Sequence, residues 1–119
     1  MEDTIKIKNV NDLSEWIESH NGFDSDVENN ELFIRAPRHY TMYIGFEDTD
    51  SLFEIFMKVL EYFDDFDADY EFDKMWSADF GKHNGFRPSE FLRALMSDEE
   101  DFHNLAQELR EIIAKQNIN

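Results

Sequence analysis

Apolar side chains occupy every second position in two runs on either side of the turn residues APRH. They are Leu32, Ile34, Ala36, Tyr40, Met42, Ile44 and Phe46. Alternation with a period of two is typical of strands that bury one face. We therefore predict a β-hairpin over residues 31–46.

The segment before the hairpin is predicted to contribute one strand and one helix. The sequence TIKIK, residues 4–8, alternates Ile with Lys and predicts a short strand. Residues 11–19 have apolar positions at helical spacing, with Asn11 or Asp12 as a suitable N-cap. The polar, Gly-containing sequence HNGFDSDVENN, residues 20–30, is predicted to be a loop.

The hydrophobic period changes from two to three and four after residue 47. This is the spacing of an amphipathic helix, and Thr49 or Asp50 is predicted to cap it. The residues that form its apolar stripe are Leu52, Phe53, Phe56, Val59, Leu60 and Phe63.

Two further helices are predicted near the end of the chain. Residues 87–96 begin with Arg-Pro and predict a short helix. Residues 97–116 predict a separate helix that opens with a capping box from Ser97 to Glu100. We therefore expect one α+β domain spanning residues 1–119, with a short antiparallel sheet (β-α-β-β) followed by about four helices.

Net charge is the property of this composition that most restricts function. The chain has 28 Asp and Glu residues against 11 Lys and Arg, which gives −17 at pH 7. A domain of this size is about 35 Å across, and duplex DNA carries about 20 charges over that length. The charge therefore approaches that of DNA, so the protein should repel nucleic acids and anionic membranes and attract basic surfaces. Direct binding to nucleic acid or to a membrane is not expected.

The acidic residues are concentrated between residues 48 and 77, and most densely in YFDDFDADYEFD, residues 62–73. Tyr62 is a candidate surface anchor, because tyrosine offers contact area at low entropic cost. The residues predicted to bind a partner are Glu61, Asp64, Asp65, Asp67, Asp69, Tyr70, Glu71 and Asp73. The neighbouring aromatics predicted to belong to the core are Phe63, Phe66, Phe72 and Trp76.

The secondary structure of residues 65–73 has two interpretations. Acidic and apolar residues alternate as in a strand, although Asp is a poor strand former. The apolar residues also fit a helical stripe, with Asp67 as N-cap and Gly81 at the end. We favour two helices with a break near residues 64–67. In either case the carboxylates recur about 6–7 Å apart, a spacing comparable with that of neighbouring phosphates.

No catalytic, metal-binding or cofactor-binding pattern accompanies the acids. If Asp65, Asp67 and Asp69 are aligned with an EF-hand loop, Tyr70 replaces the Gly of the turn and Trp76 replaces the bidentate Glu. The four His residues have no metal-ligand spacing, Cys is absent, and no phosphate loop or nucleophile elbow occurs. We therefore expect a protein that is not an enzyme and needs no metal or cofactor.

The hydropathy of the chain is that of a soluble protein. No stretch approaches the roughly 20 apolar residues of a membrane span. The first ten residues, MEDTIKIKNV, include no apolar run of signal-peptide length. A cytoplasmic location is therefore expected.

In its charge pattern, from Glu61 to Asp73 and from Asp98 to Asp101, the chain resembles small acidic DNA-mimic proteins of phages and mobile elements. Those proteins block restriction enzymes, CRISPR effectors or other DNA-binding proteins. The resemblance, of charge and not of motif, implies an inhibitor that binds the basic nucleic-acid-binding surface of a partner. Two alternatives remain open: an immunity or antitoxin-like protein that neutralises one basic toxin, and an acidic accessory or regulatory domain.

Overall fold

A computed structural model of the chain describes residues 6–38, 40–77 and 87–116. The helices and strands in these ranges are α1 (Val10–Glu18), β1 (Asp24–Glu28), β2 (Glu31–Arg35), β3 (Thr41–Gly45), α2 (Leu52–Asp65), α3 (Ala68–Ser77) and α4 (Pro88–Gln116). The fold class is α+β with a short antiparallel sheet, as the sequence predicts. None of these helices combines the length and the apolar character needed to cross a membrane.

The three strands form an antiparallel sheet in the order β1-β2-β3. A two-residue turn joins β1 to β2, and its residues Asn29 and Asn30 have φ angles of 52° and 61°. Positive φ at both positions is typical of a type I′ turn, and Asn tolerates this conformation better than most residues. The hairpin predicted over residues 31–46 is confirmed as β2 and β3, in which Leu32 pairs with Ile44.

The first strand of the sheet lies in a segment that the sequence predicts to be a loop. β1 occupies Asp24–Glu28, within residues 20–30. The prediction is wrong because it relied on composition, and three of the five residues in β1 are acidic. The strand is held by its pairing with β2, which the Asn-Asn turn closes.

α1 begins slightly earlier than predicted, and its cap is Asn9 rather than Asn11 or Asp12. The Oδ1 atom of Asn9 accepts a hydrogen bond from the N–H of Asp12 at 2.9 Å. The carboxylate of Asp12 in turn accepts a hydrogen bond from the N–H of Lys8 at 3.0 Å.

The strand predicted over residues 4–8 is not seen in the described part of that segment. Residues 6–8 belong to no helix or strand, and residues 4 and 5 lie outside the described residues.

α2 begins with a capping box at Ser51. The hydroxyl of Ser51 accepts the N–H of Glu54 at 3.1 Å, and the carboxylate of Glu54 accepts the N–H of Ser51 at 2.7 Å. The predicted caps, Thr49 and Asp50, are therefore wrong by one or two residues. Asp50 instead forms an ion pair with Lys58 at 2.6 Å.

α4 runs without interruption for 29 residues, so the predicted division into helices over 87–96 and 97–116 is wrong. No Gly or Pro follows Pro88 within the helix, and nothing in its sequence therefore breaks the hydrogen-bond ladder. The predicted capping box from Ser97 to Glu100 lies inside the helix. A helix of this length spans about 43 Å, close to the 46 Å longest dimension of the molecule.

Phe102, near the middle of α4, joins the sheet side of the core to α2. Its side chain is fully buried. Its ring centroid lies within 6.3 Å of the rings of Phe23, Tyr40, Phe63 and Phe66. Phe63 and Phe66 are thus core residues, as predicted. The other two predicted core aromatics, Phe72 and Trp76, are half-buried and contact Phe91 of α4.

Residues 65–73 are helical on both sides of a short break, which confirms the favoured interpretation. α2 ends at Asp65 and α3 begins at Ala68. Asp67 caps α3, because its Oδ1 atom accepts the N–H of Asp69 at 2.9 Å and that of Tyr70 at 3.2 Å. The predicted helix end at Gly81 lies outside the described residues.

Candidate acidic partner-binding site

The predicted partner-binding residues share the α2–α3 segment but do not share one face of it. On α2, Glu61 and Asp65 are four residues apart and lie on one stripe of the helix. On α3, Asp69 and Asp73 have the same relationship. At about 100° per residue, these two aspartates lie on the opposite side of α3 from Glu71. The acids are therefore divided between two surfaces.

Three of the predicted carboxylates already interact within the chain. Asp64 forms an ion pair with Arg110 of α4. Asp67 caps α3, as described above. Glu71 accepts a hydrogen bond from the hydroxyl of Tyr40 at 3.0 Å and lies 3.7 Å from Lys74. These carboxylates have partners within the α2–α3 region, so their replacement would change stability as well as charge.

The other four carboxylates are exposed and have no partner among the described residues. Glu61, Asp65, Asp69 and Asp73 are exposed side chains. None of them has a side-chain hydrogen bond or an ion pair with the part of the chain that the structure describes. Their charges are therefore available to a partner at little structural cost.

A groove of about 660 Å³ separates β3 from α2 and α3. It brings together three of the predicted acids, which sequence spacing alone does not place on one surface. The residues that line it are Tyr40, Thr41, Met42, Tyr43, Glu61, Tyr62, Asp65, Phe66, Glu71 and Lys74. Among the described lining residues, three carboxylates against one ammonium group give a net negative charge.

Three exposed tyrosines lie in or beside this groove. Tyr62 and Tyr70 are 45% and 62% exposed, which confirms their predicted exposure. Tyr43 is 57% exposed, and the sequence analysis did not identify it as a site residue. Its position in the hairpin, between the buried Met42 and Ile44, was the signal that could have revealed it.

Tyr40 has an unusual electrostatic environment for a tyrosine at the edge of a groove. Burial raises the pKa of Tyr40 well above its ordinary value, and the charge of Glu71 and the hydrogen bond to it raise the pKa further. The phenol therefore stays neutral and remains a hydrogen-bond donor. The hydrogen bond to Glu71 joins the β2–β3 connection to α3 at this side of the groove.

The acidic segment of α4 contributes less to the surface than its sequence suggests. Asp98 is fully buried, and its two carboxylate oxygens accept the N–H groups of Arg38 at 3.0 Å and Tyr40 at 2.9 Å. Asp101 is partly exposed. Burial raises the pKa of Asp101, and the charges of Asp98 and Glu100 raise it further. Asp98 thus holds the β2–β3 connection in place and does not face solvent.

The chemistry that this site supports is the binding of cations. Carboxylates of this kind are suited to pair with Lys or Arg side chains, and exposed tyrosines are suited to pack on the aliphatic stems of such side chains. Within residues 6–38, 40–77 and 87–116, no group of three or more His, Asp or Glu side chains is placed to bind a metal. Comparison of the chain with family models, with curated proteins and with solved structures gives no significant match.

Proposed function

We propose that this protein is a cytoplasmic inhibitor that binds the basic nucleic-acid-binding surface of a partner, of the anti-restriction or anti-CRISPR kind. The observation that carries the proposal is the pair of exposed carboxylate stripes, Glu61 with Asp65 and Asp69 with Asp73, which form no ion pair with any described residue. Each stripe has carboxylates about 6 Å apart along its helix, comparable with neighbouring phosphates. Lys and Arg side chains that hold a nucleic acid would meet carboxylates instead.

The inhibitor acts by competition for the basic surface. A net charge of −17 accelerates encounter with a positive partner and favours the productive orientation. Charges at the rim of an interface mainly set the association rate, whereas buried aromatic contacts set the lifetime of the complex. The exposed rings of Tyr62 and Tyr70 supply such contacts beside the two stripes.

The groove between β3 and α2–α3 favours a second candidate function, that of an immunity or antitoxin-like protein. A phosphate mimic needs carboxylates in rows, and it does not need a groove. A shaped groove lined by Glu61, Asp65 and Glu71 suits one cognate basic partner. An inhibitor of this kind could bind away from the nucleic-acid site of its target.

The test compares two variants that remove the same number of charges. The first neutralises the two stripes: Glu61→Gln, Asp65→Asn, Asp69→Asn and Asp73→Asn. The control neutralises exposed acids on other elements: Glu15→Gln, Glu18→Gln, Glu28→Gln and Glu111→Gln. Each protein is immobilised, exposed to a lysate of the source organism at low salt and eluted with a salt gradient. We expect one basic nucleic-acid-binding protein to be retained by the wild type and the control and lost by the stripe variant.

Equal retention of the partner by the two variants would overturn the proposal, because the acidic residues would then act only by increasing solubility. Competition by duplex DNA separates the two candidate functions. Release of the bound partner by excess DNA supports phosphate mimicry. Retention of the partner in the presence of DNA supports an immunity-like complex.

A further inference from the structure

The hydrogen bonds at the two ends of the β2–β3 pair determine which opposed residues between them exchange hydrogen bonds. The N–H of Ala36 donates to the C=O of Tyr40 at 2.8 Å, and the N–H of Phe46 donates to the C=O of Asn30 at 3.0 Å. In an antiparallel pair, opposed residues alternate between those that exchange hydrogen bonds and those that do not. Together with the strand register, these two bonds show which N–H and C=O groups of β3 point toward β2 and which point away from it.

Within the described residues β3 is an edge strand of the sheet, and the main-chain groups of alternate residues point away from β2. Met42 and Ile44 face β2, whereas the N–H and C=O groups of Thr41, Tyr43 and Gly45 face outward. These outward groups have no hydrogen-bond partner in the portion of the chain that the structure describes. A further strand could pair with them without displacing any existing bond.

The groove follows this free edge. Four consecutive residues, from Tyr40 to Tyr43, line it. Because successive side chains of a strand point to opposite faces, a groove that touches all four runs along the edge and not over one face. The opposite wall consists of α2 and α3, so the outward groups of β3 border the groove.

The two edges of the sheet differ in charge. β1 has Asp24, Asp26 and Glu28, and charged side chains of this kind discourage strand addition. β3, with the sequence TMYIG, has no charged residue. The protection at this edge comes from the wall opposite, where Glu61 and Asp65 would repel an acidic strand and attract a basic one.

We propose that an extended segment of the partner, with Lys or Arg at alternate positions, adds to β3 as a fourth strand in this groove, an assignment that rests on the proposed function. Main-chain hydrogen bonds to Thr41 and Tyr43 provide affinity, and side chains directed toward α2 meet Glu61 and Asp65 and provide selectivity. A second copy of this chain is a poor occupant, because two molecules of charge −17 repel each other.

The first test isolates the main-chain contact with a labelled peptide of alternating Lys and Thr, followed by fluorescence anisotropy at low salt. Tyr43→Pro removes the outward N–H and leaves the bonds to β2 in place, since proline is tolerated at edge positions. Tyr43→Ala, the matched control, also removes the ring but keeps the N–H. We expect the proline variant to bind the peptide about fivefold more weakly than the alanine variant.

The second test leaves the sheet unchanged, so it holds even if the proline variant does not fold. Glu61→Gln with Asp65→Asn removes two charges from the wall of the groove. Asp69→Asn with Asp73→Asn removes two charges from the far side of α3. We expect the first pair to weaken peptide binding by about threefold to tenfold and the second pair to have a smaller effect.

Amide hydrogen exchange identifies the site directly. Addition of the peptide should slow exchange at Thr41 and Tyr43, whose outward N–H groups become bonded. The inference would be overturned if the peptide did not bind the wild type. It would also be overturned if both pairs of charge substitutions weakened binding equally and the peptide did not protect these amides. Protection of the same amides by self-association without peptide would overturn it as well. None of these results depends on the pull-down, so the proposed function stands or fails separately.

Discussion

The hydroxyl of Tyr40 donates a hydrogen bond to Glu71 across 3.0 Å, and this contact ties the β2–β3 connection to α3. The hydrogen bond therefore joins a residue beside β3 to the helix on the other side of the groove. Burial, the charge of Glu71 and the hydrogen bond all raise the pKa of Tyr40, so its ionisation would break the contact and place two like charges together.

The first prediction concerns alkaline pH. The pKa of Tyr40 is raised in the folded state above its ordinary value of 10.0. The protonated phenol therefore contributes its full stabilisation below pH 10.0, and this stabilisation is lost as the pH rises further. Tyr40→Phe should lower the free energy of unfolding by about 1 kcal/mol at neutral pH. It should also make stability fall less steeply at alkaline pH. Urea unfolding at several pH values measures both effects, with the exposed Tyr62→Phe as control, and parallel pH curves for wild type and Tyr40→Phe would contradict the prediction.

The second prediction concerns the buried carboxylate of Asp98, whose two oxygens each accept a backbone N–H group. Asp98→Asn replaces one acceptor with an NH₂ group that faces another donor, and we expect it to reduce the free energy of unfolding by about 2 kcal/mol.

The control for Asp98 is Asp101→Asn, which makes the same charge change on the same helix. The pKa of Asp101 is higher in the folded protein than in the unfolded chain, so the ionised carboxylate is less stable in the folded protein. At neutral pH, where the carboxylate is ionised, removal of its charge should therefore stabilise the protein. Denaturant unfolding of both variants should give opposite signs. Destabilisation of similar size in both would show that the net charge of α4, and not the buried contact, is responsible.

The third prediction tests the capping box at the start of α2. Ser51→Ala leaves the N–H of Glu54 without its acceptor and should cost about 1 kcal/mol of stability. Thr49→Ala changes an exposed side chain with no hydrogen bond in the described structure and should cost much less. Thermal unfolding of the two variants shows which of the two residues caps the helix. An equal loss of melting temperature in both variants would contradict the assignment of Ser51 as the cap.

The fourth prediction concerns ionic strength. Crowded carboxylates repel one another in the folded state, and the screening length falls to about 10 Å at 0.1 M salt. The melting temperature should therefore rise as sodium chloride is added over this range. The variant with both carboxylate stripes neutralised should show a smaller rise. A melting temperature that falls with added salt would contradict a crowded acidic surface.

Local patterns predict the fold well where apolar spacing and capping agree. The hairpin of β2 and β3, the helical stripe of α2 and the break with its cap at Asp67 all follow from residues within one element. β1 was missed because its acidic composition disguises a strand, although the Asn-Asn turn beside it is a hairpin signal. α4 was divided because Ser97 and Glu100 fit a capping box equally well inside a continuous helix.

The candidate site was predictable in composition and not in arrangement. Sequence identifies the acids, but it cannot show that Asp64 is paired with Arg110, 46 residues away. Nor can it place Glu71 opposite Tyr40, since that contact depends on how α3 packs against the sheet. The groove arises from this packing, so the alternation in β3 could show that Tyr43 is exposed but not that it lines a site.

The position of Phe102 in the chain has a consequence for synthesis on the ribosome. Its four aromatic neighbours, Phe23, Tyr40, Phe63 and Phe66, are all translated before it. The nascent chain thus emerges with these rings unable to reach their final partner, and the core closes only once α4 has left the exit tunnel. During that interval, apolar surface is open to aggregation. The acidic stretch between residues 48 and 77 is translated before Phe102, and its like charges would oppose association between such chains.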